Sequence, residues 1–258
     1  MIESISLVNL PAFLLVFVRV AAFFASLPLF SYRTVPVTHK VGFSFFLAAL
    51  MVFTLPVPEM TVDGTYFLLL LKEAAVGLGV GLLAYIILGA IQIAGGFIDF
   101  QMGFAVANVI DPQTGAQIPL VGQYMYIITL LFILVVDGHH LMIDGIFYSY
   151  QFIGLDQFLP MKEEGWIMFV IQSFNKMFMI AFLMAVPIVG CLFLVDIALG
   201  IVARTVPQLN VFVVGLPLKI FVALSVLVIA MSFYVYLIQI LFETMLETMR
   251  GFMDVLGG

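Results

Sequence analysis

Apolar residues run along this chain in long blocks, and polar residues collect at a few breaks between them. The blocks cover about 10–29, 41–55, 66–98, 124–136, 167–199 and 220–242. Residues 74–98 and 220–242 carry no Asp, Glu, Lys or Arg. About 20 apolar residues cross a bilayer as a helix, so these blocks predict membrane-type helices. The third and fifth are longer than one plain span requires, and Pro187 inside the fifth predicts a kink.

Two breaks differ from ordinary connections. The stretch 99–123 follows Gly95 and Gly96, mixes small residues with Gln, Asn and Asp, and is cut by Pro112, Gly115 and Pro119. Asp111-Pro112 and Thr114-Gly115 are turn signals, and proline removes a backbone donor. In so apolar a chain, non-helical backbone is tolerated only where protein buries it or water reaches it. That makes the stretch the candidate plug, constriction or substrate site. The second break, 204–219, holds Arg204, Pro207, Gln208, Gly215, Pro217 and Lys219 inside an otherwise apolar run. The chain therefore has two broken apolar segments, one in each half.

The remaining connections carry orientation signals. Arg33, His39 and Lys40 make the first basic, while 56–65 contains Glu59 and Asp63 without Lys or Arg. The bias of basic residues to the cytoplasmic side places Arg33 and Lys40 there and the N-terminus outside. Residues 154–165 are the most polar connection, followed by the sole tryptophan, Trp166, at an expected interface.

Composition narrows the class. Of 258 residues, 64% are hydrophobic and 9% charged, with a mean hydropathy of +1.26; soluble domains carry roughly 25% charged residues. The net charge of −6 rests on few groups and argues only against a nucleic-acid partner. Cys191 is the single cysteine, so neither a disulfide nor a CxxC pair is available. With Glu3 and no basic n-region, no cleavable leader is expected.

Candidate chemistry is sparse. Arg19 sits in mid-block, where an arginine faces protein or water rather than lipid. Lys72 and Glu73 are adjacent and read as an anchor near a helix end, on different faces. Gly77-x-x-x-Gly81 is the spacing that lets membrane helices approach closely. Asp137, His140 and Asp144 fall on one helical face. Zinc usually needs three or four convergent ligands, so an interfacial hydrogen-bonded cap is the plainer reading. Glu243 and Glu247 share a face that suits either a partner or a solvated helix end. Neither a Ser–His pair around Ser149 nor a paired-Asp motif supports a protease, and no catalytic, cofactor or metal set is expected. From these features alone, an ion-coupled secondary transporter with discontinuous helices remains open, with Arg19, Asp99, Asp137 and Lys176 as its charged residues.

Residues 204–220, RTVPQLNVFVVGLPLKI, resemble the FliR/SpaR/YscT family of flagellar and virulence-associated type III export-gate proteins. Arg19, the Arg33-x-x-Pro36 connection, Gln101-Met-Gly with Asp111-Pro112, and Asp137-Gly-His-His140 fit the same family in order, so the resemblance covers essentially the whole chain. It implies an all-α integral membrane-type protein of bent helical hairpins, like a FliP-like and a FliQ-like unit joined in one chain. Six ordinary spans would then be the wrong picture. The implied role is a single, non-enzymatic export-gate subunit over 1–258, without cofactor, in the bacterial inner membrane at the flagellar basal body. The implied partners are FliP-like and FliQ-like subunits, an FlhB-like protein and unfolded export substrates. The family also implies a plug over about 106–122, with Gly103, Val106, Val109, Ile110, Asp111, Pro112 and Gly115 in plugging or gating. Arg19, Arg33, Arg204, Pro207, Gln208, Gly215 and Pro217 are implied to serve structure and assembly.

Overall fold

The computed structural model describes residues 10–31, 35–56, 62–104, 119–158, 163–208 and 210–257. Among these residues the regular elements are all helices: α1 (Leu10–Ser26), α2 (Val37–Val52), α3 (Gly64–Met102), α4 (Leu120–Val135), α5 (Gly138–Phe152), α6 (Glu163–Thr205), α7 (Val211–Ile229) and α8 (Met231–Gly257). The all-α membrane-type expectation holds. By length and composition α3, residues 165–205 of α6, and α7 can each cross a membrane, and α4 with α5 forms a further candidate bent by 75°.

The over-long blocks are single helices of 39 and 43 residues. At 1.5 Å per residue these reach roughly 60 Å, about twice a bilayer's hydrocarbon thickness. Where water is scarce a helix is the form that satisfies every backbone group locally, so nothing short of a strong breaker ends it. The α6 helix runs through Pro187 without interruption.

Helix ends follow capping chemistry. Asp63 Oδ1 accepts from the Thr65 and Tyr66 amides at 3.0 and 3.1 Å and from the Thr65 hydroxyl at 2.6 Å, capping α3. The Thr65 hydroxyl and these amides hold the Asp63 carboxyl below its ordinary range. A depressed carboxylate stabilises the fold above its unfolded-state pKa, and that contribution is lost as pH falls through the folded value. Asp63→Ala is therefore expected to fray the first turn of α3. Hydrogen-exchange protection of the Thr65 and Tyr66 amides, taken relative to the intrinsic rate at each pH, should be lower in the variant at neutral pH, whereas in the parent it should fall only on acidification; equal protection at neutral pH would remove the cap.

The chain divides into two compact units: Met1–Ile87 with Leu134–Phe174 and Glu243–Gly258, and Leu88–Ile133 with Asn175–Phe242. In the first unit α1 and α2 meet along an aromatic seam, with Phe13 on Phe45 and Phe24 on Phe43, both at 5.1 Å between ring centroids. Gly77 and Gly81 let α3 lie directly on α1: a Cβ at either would meet α1 atoms, the Arg19 carbonyl in one case and Ser26 Oγ in the other. The end of α8 is amphipathic. Met245, Met249 and Met253 are buried at four-residue spacing, and Glu243 and Glu247 are exposed.

In the second unit the backbones of α3 and α4 touch where Gly95 faces Gly122. Tyr234 donates its hydroxyl to the Met184 carbonyl at 2.8 Å. On α7, Phe212, Val213, Phe221, Leu224 and Val228 are exposed and only 17% of its apolar window is buried. Single chains seldom leave so much contiguous apolar surface uncovered unless lipid or protein contacts it.

Three boundaries differ from expectation. Asp99 to Met102 form the last turn of α3, and 120–123 open α4, so the first break is narrower than 99–123. Gly95 does not end the helix because its place is one of close contact, not of turning. The second break shrinks likewise to the short connection 206–210. Asn210 caps α7 by accepting from Phe212 and Val213, and Gly215 and Pro217 lie inside that helix. Pro217 costs one hydrogen bond there, which is tolerated in an apolar helix whose alternative is exposing several. Finally, the last apolar block is not one helix: α7 ends at Ile229, and Met231 starts α8 after Ala230.

Candidate functional site

The stretch singled out in the sequence begins and ends on one residue. At its start, Gly103 has φ +91°, a backbone conformation open to glycine and strained for side-chain-bearing residues. The Gly103 amide donates to the Phe100 carbonyl at 3.1 Å and the Phe104 amide to the Asp99 carbonyl at 3.0 Å. This pair of bonds is the Schellman termination, which stops α3 at Met102. At the other end, the Val121 amide, in the first turn of α4, donates to both Asp99 carboxylate oxygens at 3.3 Å. Asp99 is thus the main-chain acceptor for one flank of the segment and the side-chain acceptor for the other. The Gly95–Gly122 contact holds the same two helices together a turn away.

A second polar cluster stands beside that start. Gln101 Nε2 donates to Asp196 Oδ2 at 2.8 Å, and Lys219 Nζ pairs with Asp196 Oδ1. Lys219 Nζ also reaches the Gln101 carbonyl at 3.4 Å. These groups join α3, α6 and α7. Sequence reasoning placed Lys219 only among the residues of the second break; the separations of 95 and 118 residues between Gln101 and Asp196 and Lys219 left no local signal that they meet.

Arg19 lies in a third cluster, within the other unit. It is fully buried and makes a two-pronged pair with Glu73, including Nη2 to Oε1 at 2.9 Å. It donates further to Ser149 Oγ and to the Ile153 carbonyl, each at 3.0 Å, and its guanidinium carbon lies 3.8 Å from the centre of the Tyr150 ring. Lys72 is buried too, bonded to Glu73 and to the Gly154 carbonyl at 2.7 Å. Adjacency did not keep Lys72 and Glu73 apart, because the flexible lysine stem folds back to its neighbour's carboxylate. Two cations share one carboxylate here, and the Ser149 hydroxyl and backbone carbonyls accept further protons from them.

The bend between α4 and α5 gathers Asp137, His139 and His140, whose ligand atoms lie within 4.8 Å of one another. Asp144 is not among them. Asp137 occupies the N-cap of α5 with φ 54°, but its side chain makes no capping hydrogen bond, so the expected cap is a backbone one. Two imidazoles and a carboxylate are the donor set of a divalent transition ion. Asp137 and His140 are largely exposed, however, and the His140 ring packs only on its neighbour His139, 4.1 Å between centroids, among the ring contacts of the described residues.

Of the other sequence-derived residues, Arg204 is exposed in the last turn of α6, where a cation complements the helix's negative end. Pro207 and Gln208 are exposed in the turn that follows. Gly215 is buried against Leu199, and Pro217 is exposed on α7. Arg33, Val106, Val109, Ile110, Asp111, Pro112 and Gly115 lie outside the described residues.

These features define an all-helical membrane protein whose conspicuous polar groups join helices to one another. Residues 10–245 match the bacterial export proteins, family 1. The chain is similar to the flagellar biosynthetic protein FliR of Bacillus subtilis (strain 168), 55% identical over 96% of each chain. It is similar as well to FliR of Escherichia coli (strain K12), 26% identical over 81% of this chain and 80% of that one. Yop proteins translocation protein T of Yersinia pestis is 33% identical over 67% of this chain and 66% of that one. The chain belongs to the FliR family of bacterial export proteins. It is accordingly a non-enzymatic subunit of the flagellar type III export gate in the bacterial inner membrane.

Proposed function

We propose that this subunit closes the export gate with the segment 106–122, assembling with FliP-like and FliQ-like subunits and an FlhB-like partner around a path for unfolded export substrates. The observation that carries the reading is the anchoring on Asp99 of the Phe104 amide, just before the segment, and of the Val121 amide, where the segment passes into α4. A segment tethered at one point can be displaced and can return without disturbing the helices that hold it. Its composition suits such a movable seal. Val106, Val109 and Ile110 offer aliphatic surface against water, while Gly103, Asp111-Pro112 and Gly115 favour turns. Charged groups are costly among lipid, so the exposed apolar faces of α6 and α7 suit packing on neighbouring subunits. Arg19, Arg33, Arg204, Pro207, Gln208, Gly215 and Pro217 belong in this reading to the frame and its assembly.

Deleting 106–115 tests it. Cells carrying the deletion are expected to leak small ions across the inner membrane, while tagged chain still recovers its partner subunits in mild detergent. An assembled deletion complex that stays ion-tight would sink the plug. Recovery of the parent chain as a lone, solute-binding monomer would sink the gate assembly itself.

A further inference from the structure

In the sequence Asp137, His140 and Asp144 read as an interfacial cap, but the structure assembles a different trio. Asp137, His139 and His140 each bring a donor atom to within 4.8 Å of the other two, and Asp144 stays out. The local chain explains how. Asp137 takes φ 54°, a left-handed conformation that aspartate tolerates better than most residues. Its amide donates to the Leu134 carbonyl at 3.3 Å, and its carbonyl accepts from the His140 amide at 3.0 Å. The main chain under the trio is therefore tied on both sides. Neighbouring side chains on a regular helix point about 100° apart. At this first turn of α5, however, the His139 and His140 rings lie 4.1 Å apart between centroids, tilted by 36°.

The donor atoms are available. The Asp137 carboxylate makes no capping bond, and its Oδ1 is 3.8 Å from His140 Nδ1, beyond hydrogen-bond distance. His139 is half-buried, and its Nδ1 is covered without a hydrogen-bond partner among the described residues. A covered polar atom left unpaired is costly, and a cation bonded to that nitrogen removes the cost.

We propose that Asp137, His139 and His140 bind one divalent transition-metal ion of the zinc class at the turn into α5. Two imidazoles with one carboxylate suit such an ion, whereas calcium and magnesium take all-oxygen sets. With bonds of about 2.0–2.2 Å, tetrahedral donors sit about 3.3 Å apart. The exposed Asp137 and His140 side chains reach that spacing by rotation, since their main chain is already in place. Three protein ligands leave a fourth position to water, and the ion is exchangeable because 69% of the His140 side chain and 78% of that of Asp137 stay exposed. The bound ion staples the residue before α5 to its first turn. This site is independent of the plug reading.

The test is a Co²⁺ titration of the gate complex, purified in mild detergent through a tag free of histidine, followed by visible ligand-field absorption and then by displacement with Zn²⁺. The parent should take up one saturable equivalent per copy of this chain, and Zn²⁺ should abolish its bands. His140→Ala and Asp137→Asn should each weaken that uptake at least about tenfold. Asparagine keeps the left-handed conformation open, so Asp137→Asn removes the charge without disturbing the turn. His39→Ala changes the one histidine outside the trio and should bind as the parent does. Absent or unsaturable uptake, uptake that survives both His140→Ala and Asp137→Asn, or an equal loss in His39→Ala overturns the site. His139→Ala should abolish uptake as well; should that half-buried position fail to assemble, the two exposed ligands decide.

Discussion

Replacing Glu73 by Gln is expected to lower the thermal stability of the detergent-solubilised complex by on the order of 10 °C, more than replacing Arg19 by Met. The order follows from the stoichiometry of the cluster. Glu73 is the single carboxylate bonded to both Arg19 and Lys72, and Arg19 and Glu73 are completely buried. Removing its charge leaves two cations in a dry interior, and breaking one partner of a buried pair costs about 3–5 kcal/mol. Removing Arg19 leaves Glu73 still bonded to Lys72, with the Ile153 carbonyl as the main group deprived of its donor. Ser149 keeps an acceptor for its own hydroxyl in the Ile146 carbonyl at 2.6 Å. The pair Arg19→Met with Glu73→Gln should therefore recover part of the Glu73→Gln loss, since it removes one of the stranded charges. Unfolding curves for the three variants read this directly; a Glu73→Gln protein no weaker than Arg19→Met would show that the shared carboxylate is not the centre of the cluster.

The other large effect is expected from two glycines on one helix, in opposite directions. A Cβ at Gly95 would fall on the backbone of Gly122, so a side chain there forces α3 and α4 apart. Overpacking a core typically costs about 1–3 kcal/mol, and here the obstacle is main chain, which has no rotamer to yield. Gly95→Val should cost at least that much. Because the same contact brings Val121 to Asp99, under the proposed plug it should also loosen the base of the segment and raise the ion leak. Gly89, six residues earlier on α3, has nothing within 4 Å of its missing Cβ. Gly89→Ala removes only the entropic cost of a helical glycine and should gain about 1 kcal/mol. Melting temperatures of the two variants should move apart, and a Gly95→Val complex as stable and as tight as the parent would mean that the helices cross elsewhere.

Much of this was legible in the chain. Long apolar blocks announced α3, α6 and the second half of α7, because a helix is what an apolar run adopts where water cannot satisfy its backbone. Proline and glycine marked both breaks, though only approximately. The signals do not say which glycine turns and which one touches: Gly95 and Gly96 read like Gly103, yet only Gly103 takes the positive φ that ends α3. Pro217 read as a breaker and sits within α7, while Asn210, a polar residue with a free side-chain acceptor, sets that helix's start.

Composition and local pattern by themselves determined the membrane-type helical class, the two interruptions, and, through 204–220 and its companions, the export family. Tertiary structure decided the pairing of charges. Arg19 joins Glu73 across 54 residues, and Gln101 joins Asp196 across 95. No sequence period links such positions, because the pairing is chosen by which helix faces come together and by the desolvation that makes an unpaired charge there too costly to keep. Asp99 illustrates the same limit. Its place before a glycine-rich break was visible, but that it holds both flanks of the break follows only from α4 returning to lie against the end of α3.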